Sequence, residues 1–273
     1  MRFNFSVVLV VSFLFTALNV YSTEKNEYYG PDFESSVQSG QIKDQELLNR
    51  LHEIIKEKHK SLGYDRARLY LFGEIHLAQL ADGTYAVKDV YCEKDFTDAD
   101  FGGTPNIGPH LIPGNGNILN TEHTWPQSRF GGKFDKDLQK SDLHHLYPSD
   151  SEMNSRRGNL RFGYVGQDLE NLRCPGNRVG PQSGGNHVSV YEPPVSHRGN
   201  VARAIFYFAT RYKMQISPDE EAALKEWNKI DPVDDLEKRR NEIIEKYQGN
   251  RNPFIDYPEL PEHISAFNNS IAK

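Results

Sequence analysis

The last third of the chain leaves the fewest choices of fold. Val201, Ile205, Phe208 and Tyr212 recur at the spacing that places side chains on one helix face. Ser217-Pro218-Asp219-Glu220 then offers an N-cap, a proline suited to the first turn, and acids at the positive end of the helix dipole. Asp231-Pro232 repeats that pattern ahead of a helix ending near Gly249. These helices need apolar partners, and the upstream sequence supplies them. Asp44–Leu62 sets Leu47, Leu48, Leu51, Ile54 and Ile55 on one stripe, which predicts a packing helix. Arg68–Leu77 (RLYLFGEIHL) and Thr84–Tyr91 (TYAVKDVY) are rich in β-formers and flank a turn at Asp82-Gly83, which predicts a hairpin. Gly102–Gly116 is loaded with glycine, proline and asparagine, so it reads as a long irregular loop pinned from outside. Ser149-Asp150-Ser151-Glu152 has capping-box spacing and predicts a helix from Ser149 to about Gly158, with Asn154 in its second turn. Gly163–Gly185 reads as loop. The sum is one α+β domain with a mostly helical C-terminal third.

Residues 1–22 stand apart. Arg2, the apolar run Val7–Leu18 and the small residue Ser22 have the layout of a secretory signal peptide, leaving a domain over residues 23–273. The run is short for a membrane span, and no later stretch approaches one. A secreted or periplasmic, soluble, monomeric protein is expected. Its two cysteines, Cys92 and Cys174, suit an oxidising compartment, and the sequence leaves open whether they pair.

A net charge of −6 argues against indiscriminate adhesion to nucleic acid or membrane. Charge is nevertheless uneven. Between Arg156 and Arg211 stand eight arginines, no lysine and three acids, an excess of five positive charges. Guanidinium forks match phosphate oxygens in pairs, so this segment could line a groove for a phosphate backbone; the alternative is that the arginines pair with acids elsewhere in the chain.

Two stretches carry the chemistry. LNTEHTWPQSRF, Leu119–Phe130, sets an acid beside a histidine, and SDLHHLYPSDSEMNSRRGN, Ser141–Asn159, adds Asp142, His144, His145 and Asn154. A histidine at the end of an extended segment, followed by a capped helix that presents an amide oxygen, suits phosphodiester hydrolysis. The histidine takes a proton from water, while carboxylate and carboxamide oxygens hold a hard divalent cation such as magnesium. Asp142, His144 and His145 invite a zinc-site reading, but adjacent histidines point apart on a regular backbone, so at most one supports the site and the other packs. Trp125 and Pro126 are expected to hold the histidine rigid.

In Asn120–Ser128, Asp142–Leu146 and Asn154–Asn159, then Arg198–Arg203 and Gln248–Phe254, the chain resembles the bacterial endonuclease I family, exported nucleases with a ββα-metal active site. That resemblance implies His123 as general base, Glu122 and Asn154 as ligands of Mg2+ (with Mn2+ or Ca2+ as substitutes), and cleavage of DNA and RNA to 5′-phosphate ends with little sequence preference. Some relatives place a phosphate-stabilising arginine in a longer insert between the motif halves. Here only Gly131–Lys140 intervenes, without an arginine, which leaves Arg129 and Arg157 to be considered. The rival readings are an extracellular ribonuclease using the same site, a catalytically silent binding protein on the same scaffold, and a zinc hydrolase.

Overall fold

The computed structural model describes residue 25 and residues 27–114, 116–131, 133–184 and 188–268; the stretch expected to be a signal peptide, residues 1–22, lies outside them. Its axis is a helix of 18 residues, Val195–Tyr212, from which Val201, Ile205, Phe208 and Tyr212 enter the core as their spacing predicts. It begins earlier than the apolar stripe, at Val195, because Pro193 and Pro194 halt the preceding strand. Three helices pack on it: Asp44–Lys58, which buries Leu47, Leu48, Leu51 and Ile55; Pro218–Ile230, with Trp227 beneath it; and the short Pro253–Asp256. Gly199 permits a close approach to this axis, since a Cβ there would stand 1.9 Å from the Asp231 carbonyl oxygen.

Numbered in chain order, the helices are α1 Phe33–Gln38, α2 Asp44–Lys58, α3 Tyr64–Tyr70, α4 Lys136–Lys140, α5 Ser151–Arg157, α6 Val195–Tyr212, α7 Pro218–Ile230, α8 Asp235–Gln248 and α9 Pro253–Asp256. Among the described residues, eight strands form three small sheets. The first joins β1 Leu77–Gln79, β2 Tyr85–Lys88 and β3 Asp95–Phe96; the second pairs β4 Leu119–His123 with β5 Leu146–Asp150; the third orders β6 Arg161–Phe162, β8 Ser189–Glu192 and β7 Arg178–Pro181. The α+β class and the helical last third stand as expected.

Further boundaries differ from the sequence reading, beginning with α2, which ends at Lys58 and not at Leu62. Arg68–Leu77 is not a strand: α3 runs into a single π-helical turn, Leu71–Ile75, and only Leu77–Gln79 pairs with β2. Its β-forming residue types are overridden by period, since Ala67 and Leu71 lie one helical turn apart and, with Phe72, bury against Leu143, Leu146 and Ile244. The helix expected from Ser149 starts at Ser151, capped by Asp150, because Ser149 is committed to the ladder opposite Asn120. The helix expected after Asp231-Pro232 starts at Asp235 with Asp234 as cap; Asp231 instead accepts the Gly199 amide at 2.8 Å. The stretch Gly163–Gly185 contains β7, which pairs with β8. The loop Gly102–Gly116 is pinned as anticipated, with Asp98 Oδ1 accepting the Asn106 and Ile107 amides.

Cys92 and Cys174 form a disulfide 82 residues apart in sequence. Closing so long a loop restricts the unfolded chain, so replacing both cysteines by serine should lower the unfolding free energy by about 2–4 kcal/mol, read from urea denaturation. An unchanged midpoint would mean that the bridge adds nothing to stability.

Candidate active site

β4 and β5 form an antiparallel pair in which Glu122 stands opposite Tyr147 and His123 opposite Leu146, and α5 follows β5 without a break. Asp150 caps α5 by accepting the Glu152 and Met153 amides, each at 3.1 Å. The helix then reaches back to β4 through side chains three residues apart. Asn154 Nδ2 donates to Asn120 Oδ1 at 2.6 Å and to the Thr121 carbonyl at 3.3 Å. Arg157 donates to the His123 carbonyl at 2.8 Å and to the Thr124 carbonyl. Backbone acceptors of β4 that β5 does not use are thereby satisfied, and a two-stranded unit gains a third layer.

Strand alternation sends Asn120 and Glu122 to one side of β4, which is the side that Asn154 and Arg157 approach. Glu122 is 2 % exposed. Its Oε1 accepts the Tyr91 hydroxyl at 2.7 Å and lies 2.9 Å from the Arg157 guanidinium; neither contact uses Oε2. Burial pushes this carboxyl up, and Arg157 and Tyr91 pull against that effect. A buried carboxylate with one oxygen spent, beside an amide whose nitrogen is spent on β4, presents hard oxygen donors. That donor set fits Mg2+, which takes few protein ligands and keeps much of its water.

His123 leaves the end of β4 on the other side. Its ring is enclosed by Tyr64, Phe130 and His145, with centroids 5.6, 6.1 and 5.4 Å away. Nε2 lies 3.2 Å from the Lys140 carbonyl, which can only accept, so Nε2 carries the proton and Nδ1 keeps its lone pair. The Gln127 amide nitrogen faces Nδ1 at 3.4 Å, as suits an acceptor. Burial holds this imidazole well below its usual pKa. Trp125 fixes the segment as expected: it stacks on Phe208 at 5.2 Å and donates to the Arg129 carbonyl at 3.2 Å.

The remaining sequence candidates take other places. Arg157 is 1 % exposed, and its two terminal nitrogens engage Glu122 and the backbone of His123 and Thr124, so it is a positioning group with no access to a phosphate. Arg129 lies over the Trp125 ring and 3.4 Å from Glu220. His144 and His145 support neither Glu122 nor His123 by a hydrogen bond; their Nε2 atoms face the Asn250 and Gln139 carbonyls at 2.9 and 2.8 Å. Asp142 accepts from Tyr207, Tyr212 and Gln248, so this trio is core structure and no zinc site.

The arginine-rich segment is likewise mostly spoken for. Seven of its eight arginines meet carboxylates: Arg156 with Glu170, Arg157 with Glu122, Arg161 with Glu220, Arg173 with Asp150, Arg178 and Arg198 with Glu192, and Arg203 with Glu237. Most of these acids lie outside the segment, which is why counting charge within it overstated its pull. Sequence reasoning missed Tyr91, Gln127 and the Lys140 carbonyl. Gln127 sits inside the quoted motif, but the other two had no local signal.

The Endonuclease I family profile matches residues 44–259. An "Extracellular ribonuclease" of Bacillus subtilis is 41% identical over 174 residues, covering 57% of this chain and 57% of that protein. Its counterpart from Bacillus amyloliquefaciens is 41% identical over 164 residues, with 53% of each covered. A "Periplasmic deoxyribonuclease" of Aeromonas hydrophila is 32% identical over 124 residues, 43% of this chain and 48% of that protein. The chain thus spans about half the length of the curated relatives it matches.

Two outcomes are expected from the buried groups. Arg157→Met should destabilise the fold by about 3–5 kcal/mol, because Glu122 is left charged and unpaired in the interior, and adding Glu122→Gln should recover part of that loss. Non-recovery in a thermal or urea midpoint would show that the two side chains act independently. Burial also lowers His144, His145 and His197 to about 3, 4 and 3, from 6.5. The unfolded chain therefore binds protons first, so stability is full above about pH 7 and falls with acidification at about 1 kcal/mol per pH unit per histidine through the window from 6.5 to about 4. Flat urea midpoints from pH 7 to pH 5 would contradict this.

Proposed function

The chain belongs to the Endonuclease I family, and from that membership we propose that it is an exported, metal-dependent nuclease cutting phosphodiester bonds in DNA and RNA with little sequence preference. The observation carrying this reading is the orientation of His123: a neutral imidazole whose Nε2 faces a main-chain carbonyl and whose Nδ1 keeps its lone pair, on the residue that follows Glu122 at the end of β4. His123 Nδ1 accepts a proton from water as the water oxygen bonds to phosphorus. The bond from phosphorus to the 3′ oxygen breaks, that oxygen takes a proton from solvent, and a 5′-phosphate end results. Lys140 holds the ring in this tautomer, and Tyr91 and Arg157 hold Glu122. Glu122 and Asn154 would hold the divalent cation, magnesium by the hardness of the donors, and when bound it would neutralise charge on the phosphate and the departing oxygen.

Export is supported by the disulfide and by relatives named extracellular or periplasmic. RNA as the principal substrate is a second reading, favoured because the 41% identical relatives are named ribonucleases. Digests of plasmid and ribosomal RNA under metal titration distinguish the two. The intact chain should cut both, lose activity on chelation and regain it with magnesium; recovery with zinc alone would replace the magnesium assignment. His123→Ala should cut at least about 100-fold more slowly while still binding nucleic acid. A digest by that variant equal to the parent's would remove the role given to His123.

A further inference from the structure

Two cations meet on one aromatic ring beside His123. Lys140 ends α4, and its carbonyl faces His123 Nε2 at 3.2 Å, so its main chain is fixed against the imidazole. Its ammonium lies 4.3 Å from the centroid of the half-buried Tyr64 ring, and the Arg68 guanidinium carbon lies 5.8 Å from the same centroid. That ring is 5.6 Å from the His123 ring and tilted 32° to it. Neither Lys140 nor Arg68 makes an ion pair with a carboxylate among the described residues. They differ in this from Arg129 and from seven of the eight arginines between Arg156 and Arg211. An aromatic face is a weak partner for a cation and leaves its charge uncancelled, so both side chains keep a field that an anion can meet.

Resting on the nuclease reading above, we propose that Lys140 and Arg68, carried on Tyr64, form the cationic contact for the nucleic-acid backbone at this site, with Lys140 serving the phosphate nearest His123. Arg157 is buried and Arg129 is held by Glu220 and Trp125, so neither is available for that contact. A lysine suits the position as a point charge on a flexible stem, able to follow a phosphate whose charge shifts during reaction. The residue then has two separable tasks: its carbonyl sets the tautomer of the base, and its side chain meets the substrate. Replacing the side chain leaves the first task intact.

The experiment measures binding of a fluorescent DNA duplex across a salt series by the full chain carrying His123→Ala, which prevents cutting. Adding Lys140→Met or Arg68→Met should each lower the slope of log K against log salt by about 0.9, the loss of one phosphate contact, whereas Lys140→Arg should keep the parent slope. Lys238→Met, on the exposed face of α8, should also leave it unchanged. With His123 present, Lys140→Met should lower kcat/KM on plasmid by about tenfold, and Lys140→Arg should recover most of it. If the parent binds but Lys140→Met and Arg68→Met keep its slope, the proposal falls while the nuclease reading stands. A parent that binds neither DNA nor RNA would remove the nuclease reading, and the proposal with it.

Discussion

The unit that places the site depends on one buried ion pair. Arg157 of α5 and Glu122 of β4 meet at 2.9 Å with almost no exposure, and the same guanidinium also holds the carbonyls of His123 and Thr124. Taking two charges out of water costs several kcal/mol per ion, and mutual attraction recovers it only when the remaining donors and acceptors are satisfied. Here the carbonyls of His123 and Thr124 accept from the guanidinium and Tyr91 donates to the carboxylate, while Arg157 Nε stays buried without a partner. An apolar pair of the same size could stabilise the fold as well. It could not hold a carboxylate at the end of a strand beside a histidine, so the interaction is better understood as positioning than as stability.

A second constraint governs the histidines. His123, His144 and His145 each set Nε2 against a main-chain carbonyl, from Lys140, Asn250 and Gln139 respectively. An acceptor-only partner fixes the same neutral tautomer in all three, and burial keeps protons off their rings. What separates them is the other nitrogen. Nδ1 of His144 and of His145 is sealed in the interior without a partner, whereas Nδ1 of His123 faces the exposed Gln127 on the turn after Pro126. The three rings thus share one tautomer and differ in what meets Nδ1, which on His123 alone of the three is a side-chain amide.

Features set by nearby residues were legible in the sequence, while those set by partners far along the chain were not. The stripe of α2, the proline at the start of α7 and Gly249 after α8 each act within a few residues, and each stands where its pattern placed it. The extended segment ending at His123 and the capped helix carrying Asn154 were readable for the same reason, whereas the second strand, β5, was implied only by the family resemblance. Arg68–Leu77 misled because β-forming residue types were weighed above a helical period whose buried partners, such as Ile244, lie far away in sequence. Tyr91 escaped notice because its link to Glu122 spans 31 residues, and Lys140 because its contact with His123 uses a carbonyl that any residue possesses.

Electrostatics shows the same division most sharply. The formal excess between Arg156 and Arg211 suggested a cationic groove, yet Glu122, Asp150, Glu220 and Glu237 come from other elements to meet those arginines. An arginine so paired has its field largely cancelled within a few ångströms, and what reaches a ligand is the residue of a sum. For an acidic protein to hold a polyanion, a few cations must be kept out of such pairs and close to the chemistry. The number of arginines in a stretch therefore says little about where phosphate binds; what decides it is which cations the fold leaves without an acid.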